Sequence, residues 1–266
     1  MNRLILIFFL AISSFSGFSQ FDWFGSQDNN WNNGANWNTG FPPGSSTDHV
    51  TIQPSAQNWP IITSTVSCGN LTLLNNSYLT VSTGTIEVFG DVISQGIISI
   101  GTGNFISNSS FDGTGGVIDF SDNGELTIKH ESVVSFGDLD ANFGTVNYHA
   151  IGLPQFIEES EIFANLKIDN AEGLQLNFSI EVNKAVDFAN GLIYSSSSNF
   201  LKMNAFSYVA AVSNTSHVFG EMKKETNSTA PFTFPIGDND NYMGLTITPA
   251  TSNPSTYTAK YETSPH

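Results

Sequence analysis

From Leu71 to Met203 the chain alternates apolar and polar positions in short units, each followed by a turn. The first units read Leu71-Thr72-Leu73, Leu79-Thr80-Val81, Ile86-Glu87-Val88 and Ile98-Ser99-Ile100. A second set reads Ile118-Asp119-Phe120, Leu126-Thr127-Ile128, Val134-Ser135-Phe136 and Val146-Asn147-Tyr148. A third reads Leu166-Lys167-Ile168, Leu174-Gln175-Leu176, Ile180-Glu181-Val182 and Val186-Asp187-Phe188. Alternation of period two marks strands with one buried face. Strands this short cannot bury that face alone, so the units must stack on one another. The expected fold is all-β: a right-handed parallel β-helix over residues 66–204, filled by inward Leu, Ile, Val and Phe. Leu71 to Ile118 is 47 positions and Ile118 to Leu166 is 48. We read this as two coils per superperiod, roughly 24 residues and three strands per coil. Roughly six coils spaced about 4.8 Å apart would make a rod about 30 Å long.

Turn chemistry agrees. Gly96, Gly103, Gly116 and Gly124 fall between units, and Pro154 is the only proline of the region, as tight corners and ladder hydrogen bonds require. The acidic stretch Phe156 to Ala164, with Glu158, Glu159 and Glu161, is expected to form a helical turn or an exposed loop.

The flanks differ. Residues 20–65 hold Trp23, Trp31, Trp37 and Trp59 among many Asn and Gly. Such tryptophans can stack on sugar rings or cover the open end of a stacked sheet. The cover is preferred, because an uncovered end exposes unpaired backbone. Residues 205–266 carry less evenly spaced strands, Phe232–Gly237, Leu245–Ile247 and Tyr257–Tyr261. They are expected to pair antiparallel, as the start of a sandwich-like module that continues in a longer gene product.

Composition narrows the function. The chain is 39% hydrophobic but only 12% charged, with 22 Phe and a net charge of −16. That is too much apolar surface for disorder. Arg3 is its only arginine, the other basic residues being seven lysines. Phosphate recognition leans on Arg and Lys, so nucleic acid is not an expected partner. Anionic membranes and acidic polysaccharides are repelled too. Cys68 is the only cysteine, which rules out an intramolecular disulfide and reads as a small buried thiol.

Residues 1–19 read as a secretory signal: Arg3, an apolar run from Leu4 to Ile12, then small and polar residues to Ser19. Cleavage is expected between Ser19 and Gln20. The run is too short to span a bilayer, so no integral membrane segment is expected after its removal. The mature chain is expected outside the cell or on its outer surface.

Candidate chemistry is sparse. A glycoside hydrolase needs two carboxylates across the scissile bond, roughly 5–9 Å apart. Asp119 with Asp122, or Asp138 with Asp140, are the candidate pairs, but no Gly-His-Gly or Asp-Asp segment accompanies them. No Gly-x-Ser-x-Gly is present. His49, His130, His149, His217 and His266 lack metal-ligand spacing and read as exposed strand residues. Asp238-Asn239-Asp240-Asn241 alternates oxygens in a way that suits calcium, but the EF-hand pattern is incomplete and a polar turn is the preferred reading. No catalytic residue, metal or cofactor is therefore expected.

One resemblance stands out. Trp31-Asn-Asn-Gly-Ala-Asn-Trp37, Asp48-His49-Val50-Thr51-Ile52, Trp59-Pro60-Ile61 and Cys68-Gly69-Asn70-Leu71-Thr72-Leu73 carry its first part. Phe163-Ala-Asn-Leu-Lys-Ile168, Asn190-Gly191-Leu192-Ile193, Ser207-Tyr208-Val209 and Phe232-Thr-Phe-Pro-Ile-Gly237 with Tyr242 carry the rest. Together they resemble an adhesin-like β-helix module of large secreted and surface proteins from type IX-secreting bacteria. Gly220-Glu221 replaces the Gly-Pro usual there, and the family's terminal sorting domain is not in this chain, which leaves anchoring open. The resemblance implies a secreted or cell-surface, non-catalytic structural or adhesin-like rod. Its expected partners are glycans or host and cell-surface proteins. The alternative is a carbohydrate-binding or polysaccharide-degrading β-helix.

Overall fold

In the computed structural model, which describes residues 19–262, stacked parallel strands form a β-solenoid of about 9 turns. Three faces build its first half. Face 1 stacks Ser19–Trp23, Asp48–Ile52, Leu71–Leu73, Val92–Ser94, Phe111–Asp112 and Val134–Ser135. Face 2 stacks Ile61–Ile62, Tyr78–Val81, Ile97–Ile100, Val117–Phe120 and Asp138–Leu139. Face 3 begins with Thr65–Cys68, Thr85–Val88, Asn104–Ser107, Glu125–Ile128 and Thr145–Tyr148.

The register fixes the coil length. Val66, Ile86, Phe105, Leu126, Val146, Leu166 and Val186 stand directly above one another, in steps of 20, 19, 21, 20, 20 and 20 residues. The coil is thus about four residues shorter than the 24 expected, and the turns outnumber the six expected. The cause is a phase ambiguity. Leu71 belongs to face 1 and Ile118 to face 2, so their spacing spans two coils plus one further side. All sides carry the same apolar-polar-apolar pattern, so the pattern alone cannot tell two coils from two coils and a third. About 9 turns at roughly 4.8 Å give a length on the order of 40 Å.

Parallel pairing also runs beyond 66–204. It starts at Ser19–Trp23 against Asp48–Ile52 and ends at Val218–Phe219 against Ile236–Gly237. The expected leader lies outside the described residues except for Ser19, and Ser19 and Gln20 open the first strand.

The interior is one continuous ladder of buried side chains. Strand after strand shows alternating burial, as in Ile86 and Val88 or Ile98 and Ile100. Phe105, Phe111, Phe136 and Phe163 pass the core from turn to turn with ring centroids 6.0–6.1 Å apart. Cys68 sits fully buried in register with Val88.

The first turn is covered. Trp23, Trp31 and Trp37 are buried and pack on one another, with Trp37 edge-on to both others at 4.9 and 4.8 Å. The loop that carries them hydrogen-bonds to the outermost strand: Phe24 N–H donates to Asn36, and Asn38 N–H to Asp22. Ile61 N–H, at the edge of face 2, donates to Asn29. Asn36 locks this loop from within. Fully buried, its carbonyl accepts from the amides of Gln27 and Asp28, and its amide group donates to the Asp28 carboxylate and the Asn30 carbonyl.

After Tyr148 the cross-section changes. A fourth face stacks Gln155–Ile157, Leu174–Leu176, Ile193–Tyr194, Val218–Phe219 and Ile236–Gly237. The strands of face 3 lengthen to eight residues in Ile162–Asp169 and eleven in Ile180–Asn190, with irregular register near Asn165 and Lys167. Of the stretch Phe156–Ala164 the two ends are strand, because Ile157 and Phe163 are needed inside, while residues 158–161 with the three glutamates form a partly buried loop between them rather than a helical turn. Ile180–Asn190 pairs with Leu201–Met203 at its start and with Tyr208–Ala210 further on. The loop 204–207 bulges between the two. Antiparallel pairing appears where expected: Ser255–Lys260 runs against Glu221–Thr226, and Phe232–Phe234 against Leu245–Ile247.

Two substitutions test this account. Phe105→Ala empties the centre of the ladder and is expected to cost about 3–5 kcal/mol in chemical denaturation. Asn36→Ala strands buried amides in the covering loop and is expected to cost about 1–3 kcal/mol for each group left unpaired. Near-neutral values in both would contradict it.

Candidate functional site

In a solenoid the outward residue of each strand stands beside the outward residue of the next turn, so surface rows run along the axis. On face 3 one row reads Asn104, Glu125, Thr145, Asn165, Ala185 and Tyr208. The adjoining row reads Thr127, Asn147, Lys167, Asp187 and Ala210. Low on the face these rows are satisfied internally. Glu125 accepts from Thr127 at 2.8 Å and from Asn147 at 2.8 Å. Asn147 and Thr127 are buried by their neighbours, and Asn147 Oδ1 has no partner.

Higher on the face the rows open. Ala185 is a small residue between Asn165 and Tyr208, and Ala210 lies beside Asp187. The missing side-chain volume leaves a depression of about 370 Å³ lined by Glu125, Thr145, Asn165, Lys167, Asp187 and Tyr208. Tyr208 is 61% exposed. The carboxylate of Asp187 and the hydroxyl of Tyr208 have no hydrogen-bond or ion-pair partner among the described residues. Asn165 donates to the Gly144 carbonyl at 2.7 Å, which leaves its own carbonyl oxygen open.

Lys224 braces the loop leading to Tyr208. Only 3% exposed, its ammonium donates to the carbonyls of Asn204, Ala205 and Ser207 and to the Ser207 hydroxyl. It also lies 4.9 Å from the Phe232 ring. Burial lowers its pKa to about 8, with the charge of Glu225 opposing the shift.

A second acidic locus lies at the change of cross-section. Val134, Phe136, Tyr148, Phe156 and Ile157 enclose Glu158, Glu159 and Glu161 around a space too small for a water molecule. Asn177 donates to Glu158 at 2.7 Å, and Glu159 Oε1 is buried without a partner. Burial, then the charge of Glu159, raises Glu161 to about 7. Burial and the two glutamates push the Tyr148 hydroxyl well above its usual range. With no room for a ligand, this is a packing feature. The apolar pairs Phe156-Ile157 and Ile162-Phe163 flanking the acids were the sequence signal for it.

The acids of the two candidate pairs each have local roles. Asp119 accepts from Ser99 at 2.8 Å on face 2, while Asp122 holds the Asn123 amide and Asp140 the Asn142 amide. Coiling instead lays Asp140 beside Asp119, since Ile118 stands against Leu139 and the Asp140 amide bonds to Ile118. Asp138 is exposed at the start of its strand. Asp238 accepts from the amides of Asp240 and Asn241, the geometry of a polar turn, and these bonds lower its pKa. Among the described residues no cluster of three or more His, Cys, Asp or Glu is placed to hold a metal ion. No helix among them is long and apolar enough to cross a membrane.

The histidines differ from expectation, and His266 lies outside the described residues. His130 is buried, 3.4 Å from Ser107, and burial lowers its pKa to about 4. His149 Nδ1 is 3.0 Å from Asp169. His217 is fully buried with its two ring nitrogens 3.0 Å and 2.7 Å from the carbonyls of Ser213 and Asp238. Sequence reasoning missed the burial of His130 and His217 because both stand just outside a strand, where the alternating pattern assigns no inward or outward side. Burial also pushes the Cys68 thiol far up, out of the reactive range.

Comparison of the chain with family models, curated proteins and solved structures finds no match.

Glu161 provides a pH test. Its folded pKa of about 7 exceeds the ordinary 4.5, so folding favours the protonated form. That contribution is complete below pH 4.5 and is lost as pH rises toward 7. Glu161→Gln is expected to flatten the dependence of melting temperature on pH over this window and to raise stability at pH 8. An unchanged pH profile would remove the acid pair from the account.

Proposed function

We propose that this chain is a non-catalytic, adhesin-like rod that works outside the cell or on its outer surface. One observation carries the reading: face 3 pairs in parallel without a break from Thr65–Cys68 to Glu221–Thr226, bridging the change of cross-section, and the first edges of the solenoid are covered by the tryptophan loop. A continuous core of this kind resists bending and holds its surface rows at fixed spacing. The signal-like residues 1–19 and the resemblance to type IX surface modules support export. A net charge of −16 in a chain of neutral polar surface supports solubility there.

The test has two readouts. In the producing bacterium, an epitope-tagged full-length chain is expected to be reached by antibody on intact cells, and confinement inside the cell would overturn the location. Incubated with neutral and acidic polysaccharides, the chain from Gln20 onward is expected to release no reducing ends. Sustained turnover would overturn the non-catalytic reading.

A further inference from the structure

We propose that the depression over Ala185 on face 3 is a binding site for one neutral sugar ring of a surface glycan. The proposal deepens the adhesive reading above and rests on it. Its basis is the combination of shape and unspent chemistry. Asn165, Ala185 and Tyr208 are successive residues of one outward row. Asn165 and Tyr208 are therefore two strand spacings apart, roughly 9–10 Å, with only a methyl group between them. That gap admits a pyranose ring lying against one wall.

The walls have the chemistry a sugar needs. A pyranose presents a C–H face and a rim of hydroxyls. The exposed Tyr208 ring offers an apolar platform for the first, because aromatic faces attract polarised C–H groups. The Asp187 carboxylate and the open Asn165 carbonyl oxygen accept from hydroxyls, and Lys167 donates to them. The 3.7 Å contact of Lys167 with Asp169 is long enough to be exchanged for a ligand bond. Polar groups left without partners around a concavity of this size are what a preformed ligand pocket presents.

Charge selects among sugars. Glu125 and Asp187 face the depression against Lys167 alone, and the whole chain is strongly acidic. A uronate or sulfated sugar would meet repulsion, so the site fits a neutral hexose or pentose unit. The buried Lys224 serves the site indirectly. By pinning the carbonyls of residues 204, 205 and 207 it fixes the strand start from which Tyr208 projects, so it is a positioning residue.

The experiment uses the chain from Gln20 onward and saturation-transfer NMR with calorimetry. The probes are cellohexaose, laminarihexaose, mannohexaose and xylohexaose, with hexagalacturonate as the anionic comparison. At least one neutral probe is expected to bind and hexagalacturonate is not. Tyr208→Ala and Asp187→Ala are each expected to weaken binding by about tenfold, from lost stacking and lost charged hydrogen bonds. Phe206→Ala, at an 82% exposed position on the loop outside the depression, is expected to leave binding unchanged. Circular dichroism checks that each variant keeps its β-structure. Ala185→Trp fills the depression from its floor and provides a second route to the same loss. Binding by no neutral probe, preferential binding of hexagalacturonate, or binding indifferent to Tyr208, Asp187 and Ala185 would each overturn the proposal. In those cases the rod reading stands or falls separately, on surface exposure and on the reducing-end assay.

Discussion

Backbone hydrogen bonding between successive turns governs everything else in this molecule. Each parallel strand must meet the next at about 4.8 Å and in register, so residues one coil apart are forced into columns. A column that points inward must be apolar and of compatible size along its whole length. A column that points outward becomes a surface row whose members touch whether or not they are close in sequence. The buried sequence Val66, Ile86, Phe105, Leu126 and Val146 is one consequence. The neighbouring of Asp119 and Asp140, or of Ala185 and Tyr208, is the other.

The same constraint explains what could be read from the chain without coordinates. Strand identity was legible wherever two apolar residues flanked a polar one, as at Ile86-Glu87-Val88 or Ile98-Ser99-Ile100. Stacking followed from the shortness of those strands. Coil length was not legible, because every side of the coil repeats that pattern and nothing in it distinguishes face 1 from face 2. The site was illegible for the same reason. Asp187 is the polar centre of the unit Val186-Asp187-Phe188 and Tyr208 lies beyond the repeats, so only the register of Ile180–Asn190 against Tyr208–Ala210 brings them together around Ala185. The covering role of the tryptophans was the easier inference, since an open solenoid end has an obvious physical need.

Buried polar groups are concentrated where the coil is irregular. Asn36 serves the first loop, His130 and Gln155 the change of cross-section, and His217 and Lys224 the last turns. Gln155, for example, donates to the carbonyls of both Ile128 and His130 and accepts from the Ala150 amide. Regular ladders satisfy their own backbone, while departures from regularity leave groups that only a side chain can reach. In this chain such side chains mark the points where a loop leaves the stack, and the loop 204–207 beside the sugar-sized depression is one of them.

The change of cross-section after Tyr148 has a bearing on how the chain finds its structure. Turns of nearly equal length and pattern invite a frame shift, in which a segment docks one storey too high or too low at small energetic penalty. The long strands Ile162–Asp169 and Ile180–Asn190 meet each other with register shifts that the regular pairings below them do not have. They act as an index mark, from which the more uniform storeys below can be counted off without error.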